Sequence, residues 1–196
     1  MKIFGCIIAG GTSSRMGREK ALVQLGGHPL ITHVANRLGP QVEALGINAN
    51  GDATRFSFLG LPVFPDQLAT DGTPLAGLHA ALHYANNAGF DAVLSVPSDT
   101  PFLPLDLRLR LEASAPSIAK SQGQEHYVTG LWPVSLLPRL EAAITQHSLK
   151  RVWEWAALVE AKPVDWAAGT HDPFFNINTP EDLAQAETYL ALSEKL

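Results

Sequence analysis

The chain is poor in cysteine, has no excess of positive charge and contains no long apolar run. One cysteine in 196 residues, Cys6, cannot build a disulfide framework, so nothing points to a secreted, covalently stapled fold. Cys6 lies inside an apolar segment, where a lone thiol is a packing residue rather than a nucleophile. The 14 Lys and Arg against 19 Asp and Glu leave a net charge of −5. That balance argues against nucleic-acid or anionic-membrane partners, which normally need a basic face, so any basic patch is local. No apolar stretch approaches the ~20 residues of a membrane-spanning helix. Residues 1–5 lead straight into a strand pattern, so a cytoplasmic protein without a leader is expected.

What is there is an ordinary globular composition, 46% apolar and 17% charged. The length matches one domain of ~100–200 residues. It suffices to bury ~70% of the unfolded surface, so neither a disulfide nor a structural metal is required. No internal repeat, low-complexity tract or linker divides the chain, and a single domain is expected.

The segment with most chemistry begins at the first strand pattern, residues 2–8, which stops at Ala9-Gly10-Gly11 and continues Thr12-Ser13-Ser14-Arg15-Met16-Gly17-Arg18-Glu19-Lys20. A buried strand that opens into a glycine-rich, hydroxyl-rich, basic loop suits phosphate. Glycine lets backbone N–H groups approach an anion without a Cβ in the way. Arg15 and Lys20 can add charge-assisted hydrogen bonds, about twice as strong as neutral ones. The plainer alternative is a tight strand-to-helix turn with two solvated cations. Two familiar phosphate loops are excluded by spacing. Five residues separate Gly11 from Gly17 and Arg18 follows, which is not G-x-x-x-x-G-K-[ST]. The dinucleotide pattern G-x-G-x-x-G is absent from this turn.

Apolar runs then alternate with amphipathic ones. Strands are predicted over 3–8, 42–48, 61–65 and 91–96, and helices over 29–38, 75–87 and 103–113. Leu75, Leu78, Leu82 and Ala85 carry the helical period of the second helix. This alternation implies an α/β fold with parallel strands and helices on both faces, with ligand beyond the carboxyl ends of the strands. Gly10, Asn48, Asp66 and Asp99 each fall at or just past a predicted strand end, so four polar or glycine positions converge on one crevice. Beyond Pro116 the alternation loosens. Strands are predicted over 125–131 and 159–166, helices over 136–146 and 181–192, and a surface turn at 121–123.

Individual positions have two readings. Asp99, between Ser98 and Thr100-Pro101, is either an oxygen ligand for Mg²⁺ or a turn-forming Asp before an X-Pro step. Asn48 and Asn50 share a side if their segment is extended, although Asn50-Gly51-Asp52 also reads as a simple turn. Thr179 with Pro180 forms a good helix start and is structural. Asn176 and Asn178 have no such role and suit the orientation of metal-bound phosphates from the far wall of the crevice. His79 and His83 stand four apart, yet Ala80 replaces the Glu of a zinc helix motif, so zinc is not expected. The tryptophans Trp132, Trp153, Trp155 and Trp166 suit a core more often than a stacking platform.

The first motif resembles the nucleotidyltransferase signature L-A-G-G-x-x-x-R-M-G-x-x-K. Together with Ile47-Asn48-Ala49-Asn50, Pro65-Asp66, Gly72-Thr73-Pro74-Leu75-Ala76-Gly77, Pro97-Ser98-Asp99-Thr100-Pro101 and Phe175-Asn176-Ile177-Asn178-Thr179-Pro180, it is similar to the molybdenum cofactor guanylyltransferases over nearly the full length. The resemblance implies a three-layer Rossmann-like nucleotidyltransferase fold with a mostly parallel sheet. It implies transfer of GMP from MgGTP to molybdenum-molybdopterin with release of pyrophosphate. It further implies nucleotide contacts at Ile8, Ala9, Gly10, Gly11, Lys20, Asn48, Asp66 and Asp99, catalytic roles for Arg15, Lys20, Asp99, Asn176 and Asn178, and Mg²⁺ on Asp99. Residues 1–115 would mainly serve the nucleotide and 116–196 mainly the pterin acceptor. Transient contacts with proteins that donate or receive the cofactor follow from the same likeness. Glu19 stands where the family often has Asp, and Tyr127 follows His126 where it often has proline. The nearest alternatives are a molybdopterin cytidylyltransferase, a sugar-phosphate nucleotidyltransferase or a non-catalytic nucleotide-binding regulatory module. Ala9-Gly10-Gly11 favours GTP by resemblance.

Overall fold

A computed structural model describes residues 1–10, 19–68 and 72–193. The first apolar run is β1 (Ile3–Ile8), every residue of which is buried, as a central parallel strand requires. β2 (Gln24–Leu25) and β3 (His28–Pro29) form a small antiparallel hairpin that leads into α1 (Leu30–Leu38). Next come β4 (Ala44–Asn48), β5 (Val63–Phe64), α2 (Pro74–Asn87) and β6 (Ala92–Pro97). The remainder is α3 (Leu107–Glu112), β7 (Ser117–Ser121), β8 (Gln124–Pro133), α4 (Leu137–His147), α5 (Val152–Leu158), β9 (Lys162–Trp166) and α6 (Pro180–Ser193).

Seven of these strands form one sheet in the order β5-β4-β1-β6-β8-β7-β9. The pairs β5–β4, β4–β1, β1–β6 and β7–β9 are parallel, while β8 runs antiparallel to β6 and β7. The sheet is therefore mostly parallel with β8 reversed. The chain goes from β1 to β4 and β5 on one side, then returns to β6 on the other. That reversal puts the ligand crevice beyond the carboxyl ends of β1 and β6.

Successive side chains of β1 enter opposite layers. Ile3 and Ile7 pack with Ile31, Val34 and Leu38 of α1 and with Leu107 and Leu111 of α3. Phe4, Cys6 and Ile8 pack with Leu75, Leu78 and Leu82 of α2, Leu140 of α4 and Trp155 of α5. These are the two helical layers that the alternation implied. A third cluster of Val23, Leu25, Leu30, Phe102, Ile177 and Ala186 joins α6 to the β2–β3 hairpin and to the segments that hold Phe102 and Ile177. Cys6 is fully buried, and burial pushes its thiol pKa up to about 12, in keeping with an inert packing role.

Several predicted boundaries move for identifiable reasons. The predicted 103–113 helix shrinks to α3 because Pro104 disfavours the helical region for Leu103, whose side chain is buried instead. The predicted 61–65 strand contracts to β5, between Pro62 and Pro65, neither of which has an N–H for the ladder. Residues 159–161 are not strand: Val159 caps α5, and Glu160 has φ of 53°. β7 and α5 are additional elements that the loosened pattern beyond Pro116 did not reveal. The 121–123 turn is real, with Gln122 and Gly123 both at positive φ (48° and 80°) between β7 and β8, as a tight two-residue hairpin requires.

Candidate active site

A cavity of about 420 Å³ opens beyond the carboxyl ends of β1 and β6. Ile8, Ala9 and Gly10 form its floor at the exit of β1, with Lys20, Asp99, Asn176 and Asn178 beside them. The opposite wall is β8, from Gln124 to Thr129. The backbone fixes the floor. Ala9 N–H donates to Asn48 O at 2.9 Å, and Ser98 N–H donates to Ile8 O at 3.3 Å, so the ladder continues past the strand ends on both sides of β1.

Lys20 Nζ donates to both Asp99 Oδ2 and Asn178 Oδ1, joining residues 79 and 158 positions apart. Both members of the Lys20–Asp99 ion pair are largely shielded from solvent. The segment carrying Asn178 is pinned at its middle residue. Ile177 is fully buried, and its N–H donates to Asp99 O at 3.1 Å. Its exposed neighbours Asn176 and Asn178 both line the cavity, which is the alternation of an extended segment. Thr179 then starts α6 as expected. Asp182 N–H donates to Thr179 Oγ1 at 3.1 Å, while Asp182 Oδ2 accepts from the N–H groups of Asn178 and Thr179 at 2.8 and 2.9 Å. This reciprocal cap holds the Asn178 backbone, leaving its amide for the cavity.

Asp99 Oδ1 is buried and has no hydrogen-bond partner among the described residues. A buried carboxylate oxygen with free lone pairs fits a hard cation. No group of three or more His, Cys, Asp or Glu forms a metal cage among the described residues. The donor set therefore fits Mg²⁺, which commonly takes one or two carboxylates and completes its shell with phosphates and water.

Asn48 ends β4 and Asp66 lies just past β5, and neither lines this cavity. Asn48, almost fully buried, donates through Nδ2 to Asp66 Oδ1 at 3.1 Å and to Phe64 O at 3.3 Å. Asn50 Nδ2 donates to Asp66 Oδ2 at 2.8 Å, and Asn50 Oδ1 accepts from Asp66 N–H at 2.9 Å. A Cβ on Gly77 of α2 would meet Asn48 Oδ1 at 2.4 Å, so glycine is required where the helix passes over this amide. Arg55 closes the knot. Its guanidinium donates to Glu19 Oε1 at 2.7 Å, Asp52 O at 2.6 Å and Asn50 O at 2.7 Å. Glu19 precedes Lys20, so the charge kept at that position ties the knot to the lysine. No motif marked Arg55, because the contact depends on the short 3₁₀ helix at Ala53–Leu59.

Gly11, Arg15 and Gly17 lie outside the described residues. His79 is buried with both ring nitrogens unpartnered among the described residues, and burial lowers its pKa. Its ring centroid is 6.4 Å from that of His83, whose Nδ1 instead meets Asn87 Nδ2 at 3.2 Å. Trp132 and Trp155 are fully buried and Trp166 nearly so, whereas Trp153 is exposed; none lines the cavity.

Such a cavity, at the switch point of a mostly parallel sheet with a lysine–carboxylate–amide cluster at its floor, defines a nucleotide-binding α/β protein. The family described as MobA-like NTP transferase domain matches residues 5–161, and the chain belongs to that family. Within it the chain is 50% identical to the molybdenum cofactor guanylyltransferase of Rhodobacter capsulatus, covering 97% of each protein. It is 44% identical to the enzyme of the same name from Cereibacter sphaeroides, covering 97% of this chain and 98% of that one. In fold it matches the crystal structure of molybdopterin-guanine dinucleotide biosynthesis protein A from Archaeoglobus fulgidus, with a TM-score of 0.72 at 24% identity over 96% and 99% of the two chains.

Proposed function

We propose that the protein transfers GMP from GTP to molybdenum-molybdopterin, forming the guanine dinucleotide form of the cofactor and releasing pyrophosphate. The observation that carries this reading is the meeting of Lys20, Asp99 and Asn178 at the floor of a cavity bounded by Ala9-Gly10. Near-full-length likeness to relatives named molybdenum cofactor guanylyltransferase supports the choice of nucleotide and acceptor.

A phosphate oxygen of the acceptor attacks the α-phosphorus of GTP. The bond from that phosphorus to the bridging oxygen of the β-phosphate breaks, and pyrophosphate leaves with the electron pair. The attacking oxygen is already ionised at neutral pH, so no general base is needed and catalysis reduces to alignment and charge stabilisation. Lys20 and Arg15 stabilise charge on the α-phosphate and the departing pyrophosphate. Asp99 would hold Mg²⁺ through its unpartnered oxygen, and the ion would supply neutralisation of triphosphate charge. Asn176 and Asn178, as neutral amides, orient the phosphates. Ile8, Ala9, Gly10, Gly11, Asn48 and Asp66 enclose the nucleotide, with residues 1–115 mainly serving GTP and 116–196 mainly the acceptor. The reaction draws on GTP, so we assign it to the cytoplasm, with transient contacts to proteins that deliver or receive the cofactor. No helix among the described residues is long and apolar enough to cross a membrane.

The test is pyrophosphate release from MgGTP with molybdenum-loaded molybdopterin, with mass spectrometry of the product. The expected product carries one added GMP and forms only when both substrates are present. Turnover with a sugar phosphate and none with molybdopterin contradicts the reading.

A further inference from the structure

The β8 wall carries a hydrogen-bond chain that the phosphate chemistry does not use. Ala119 and Ser121 of β7 pair with His126 and Gln124 of β8, which puts Ser121 and His126 on one side of the sheet. Ser121 is fully buried, with Oγ 2.7 Å from His126 Nε2 and 2.8 Å from Asp172 Oδ1. Asp172 Oδ1 also accepts the Phe174 N–H at 2.9 Å. A hydroxyl has one hydrogen and an ionised carboxylate has none, so the Ser121 hydrogen points to Asp172. His126 Nε2 must then be the donor to Ser121, which fixes the ring's tautomer. The ring also packs against Phe174, centroid to centroid 4.8 Å.

With Nε2 spent inside the sheet, Nδ1 is the ring nitrogen without a hydrogen-bond partner among the described residues, on a side chain that lines the cavity. Burial lowers the His126 pKa, with the Asp172 carboxylate pulling weakly the other way, so the neutral ring prevails near pH 7. Its Nδ1 is then a bare lone pair. Such an atom accepts from N–H groups and disfavours phosphate oxygens.

We propose that His126 is a specificity residue for the acceptor, accepting through Nδ1 a hydrogen bond from an N–H of a flat, nitrogen-rich heterocycle seated against β8. This rests on the transfer reaction proposed above. The two ends of the cavity then divide the acceptor: His126 reads the heterocycle, and the Lys20–Asp99–Asn178 cluster meets the phosphate. The guanine base is assigned elsewhere, because β8 lies on the far side of β6 from β1 and β4, where Gly10 and Asn48 stand.

The test compares His126→Gln, His126→Asn and Ser121→Ala with wild type, using MgGTP and molybdenum-loaded molybdopterin. Glutamine reaches the Nε2 position and keeps a donor for Ser121 while losing the acceptor at Nδ1. Asparagine places an amide oxygen near Nδ1. We expect His126→Gln to raise the acceptor KM about tenfold, the scale of one hydrogen bond, with kcat and GTP affinity unchanged. His126→Asn should recover part of that loss. Ser121→Ala, which releases the tautomer, should raise the same KM by a smaller factor; if the ring variants fail to fold, an unchanged KM in Ser121→Ala overturns the proposal. An unchanged KM in a folded His126→Gln, or a loss confined to GTP affinity, also overturns it. Wild-type protein that binds molybdopterin in a His126-dependent way but transfers no GMP contradicts the transfer reaction and upholds this subsite. Wild-type protein that does not bind molybdopterin overturns both.

Discussion

The two polar clusters at the carboxyl edge of the sheet differ in how much bonding capacity they leave unspent. Around β4 and β5, Asp66 has both carboxylate oxygens engaged by Asn48 and Asn50, and Arg55 is spread over Glu19, Asp52 and Asn50. Beyond β1 and β6, Lys20 engages one oxygen of Asp99 together with Asn178 Oδ1, and the other Asp99 oxygen is buried with no partner among the described residues. A satisfied network rigidifies the chain, while an unsatisfied buried oxygen costs stability and persists where a ligand completes it. The first cluster is scaffold that also carries the proposed nucleotide contacts Asn48 and Asp66; the second is where chemistry is expected.

Breaking the second cluster should have the largest effect on rate. Asp99→Ala should lower kcat by at least ~10²–10³, the scale of losing one preorganised electrostatic stabiliser. Its melting temperature should stay near wild type, because the substitution also removes an unsatisfied oxygen. Pyrophosphate release and thermal unfolding on the same preparation check both halves. A folded Asp99→Ala protein with near-normal turnover at saturating Mg²⁺ removes Asp99 from the metal site.

The first cluster should respond in the other observable. Asp66→Ala leaves the amides of Asn48 and Asn50 without their carboxylate partner, and one charge-assisted hydrogen bond of this kind contributes about 2 kcal/mol. We expect a clear drop in denaturant midpoint together with weaker GTP binding. Unchanged stability would mean that the network is not scaffold.

A finer division runs through Asn178 and Thr179. Thr179→Ala should cost about 1 kcal/mol through the lost cap, with little change in turnover. Asn178→Asp keeps size, adds negative charge beside Asp99 and should alter the Mg²⁺ dependence of the rate. A stable but inactive Thr179→Ala beside a wild-type Asn178→Asp would reverse these roles.

The smallest expected effect is on acid stability. His79 and His126 both have pKa values lowered, chiefly by burial. The unfolded chain therefore takes up protons at these sites before the native state does, and stability falls as pH drops below the ordinary histidine value of about 6.5. Denaturation midpoints between pH 5 and 8 check the sign; a midpoint that rises on acidification contradicts it.

The parts of this molecule legible in the sequence are those set by local pattern. Ile3–Ile8 is a strand with the predicted bounds, because a continuous buried run beside a glycine turn has few other forms. Thr179-Pro180 opens α6 because capping chemistry is local. Strand ends carrying Gly10, Asn48, Asp66 and Asp99 were legible for the same reason. The sequence could not reveal that Asn48 and Asp66 bond to each other, that Arg55 reaches Glu19, or that Ser121 links His126 to Asp172. Those contacts join residues 18, 36 and 51 positions apart and depend on tertiary packing. β7 escapes the sequence pattern because its Ser117 and Ser121 ends are polar and its burial comes from the sheet around it.

The most direct test of the account is calorimetric titration of the protein with GTP, CTP, ATP and UTP in Mg²⁺. A site that pairs the guanine edge can reject a base lacking those groups by ~10⁴, so GTP should bind far more tightly than the other three. CTP as the tighter ligand would contradict guanylyl transfer.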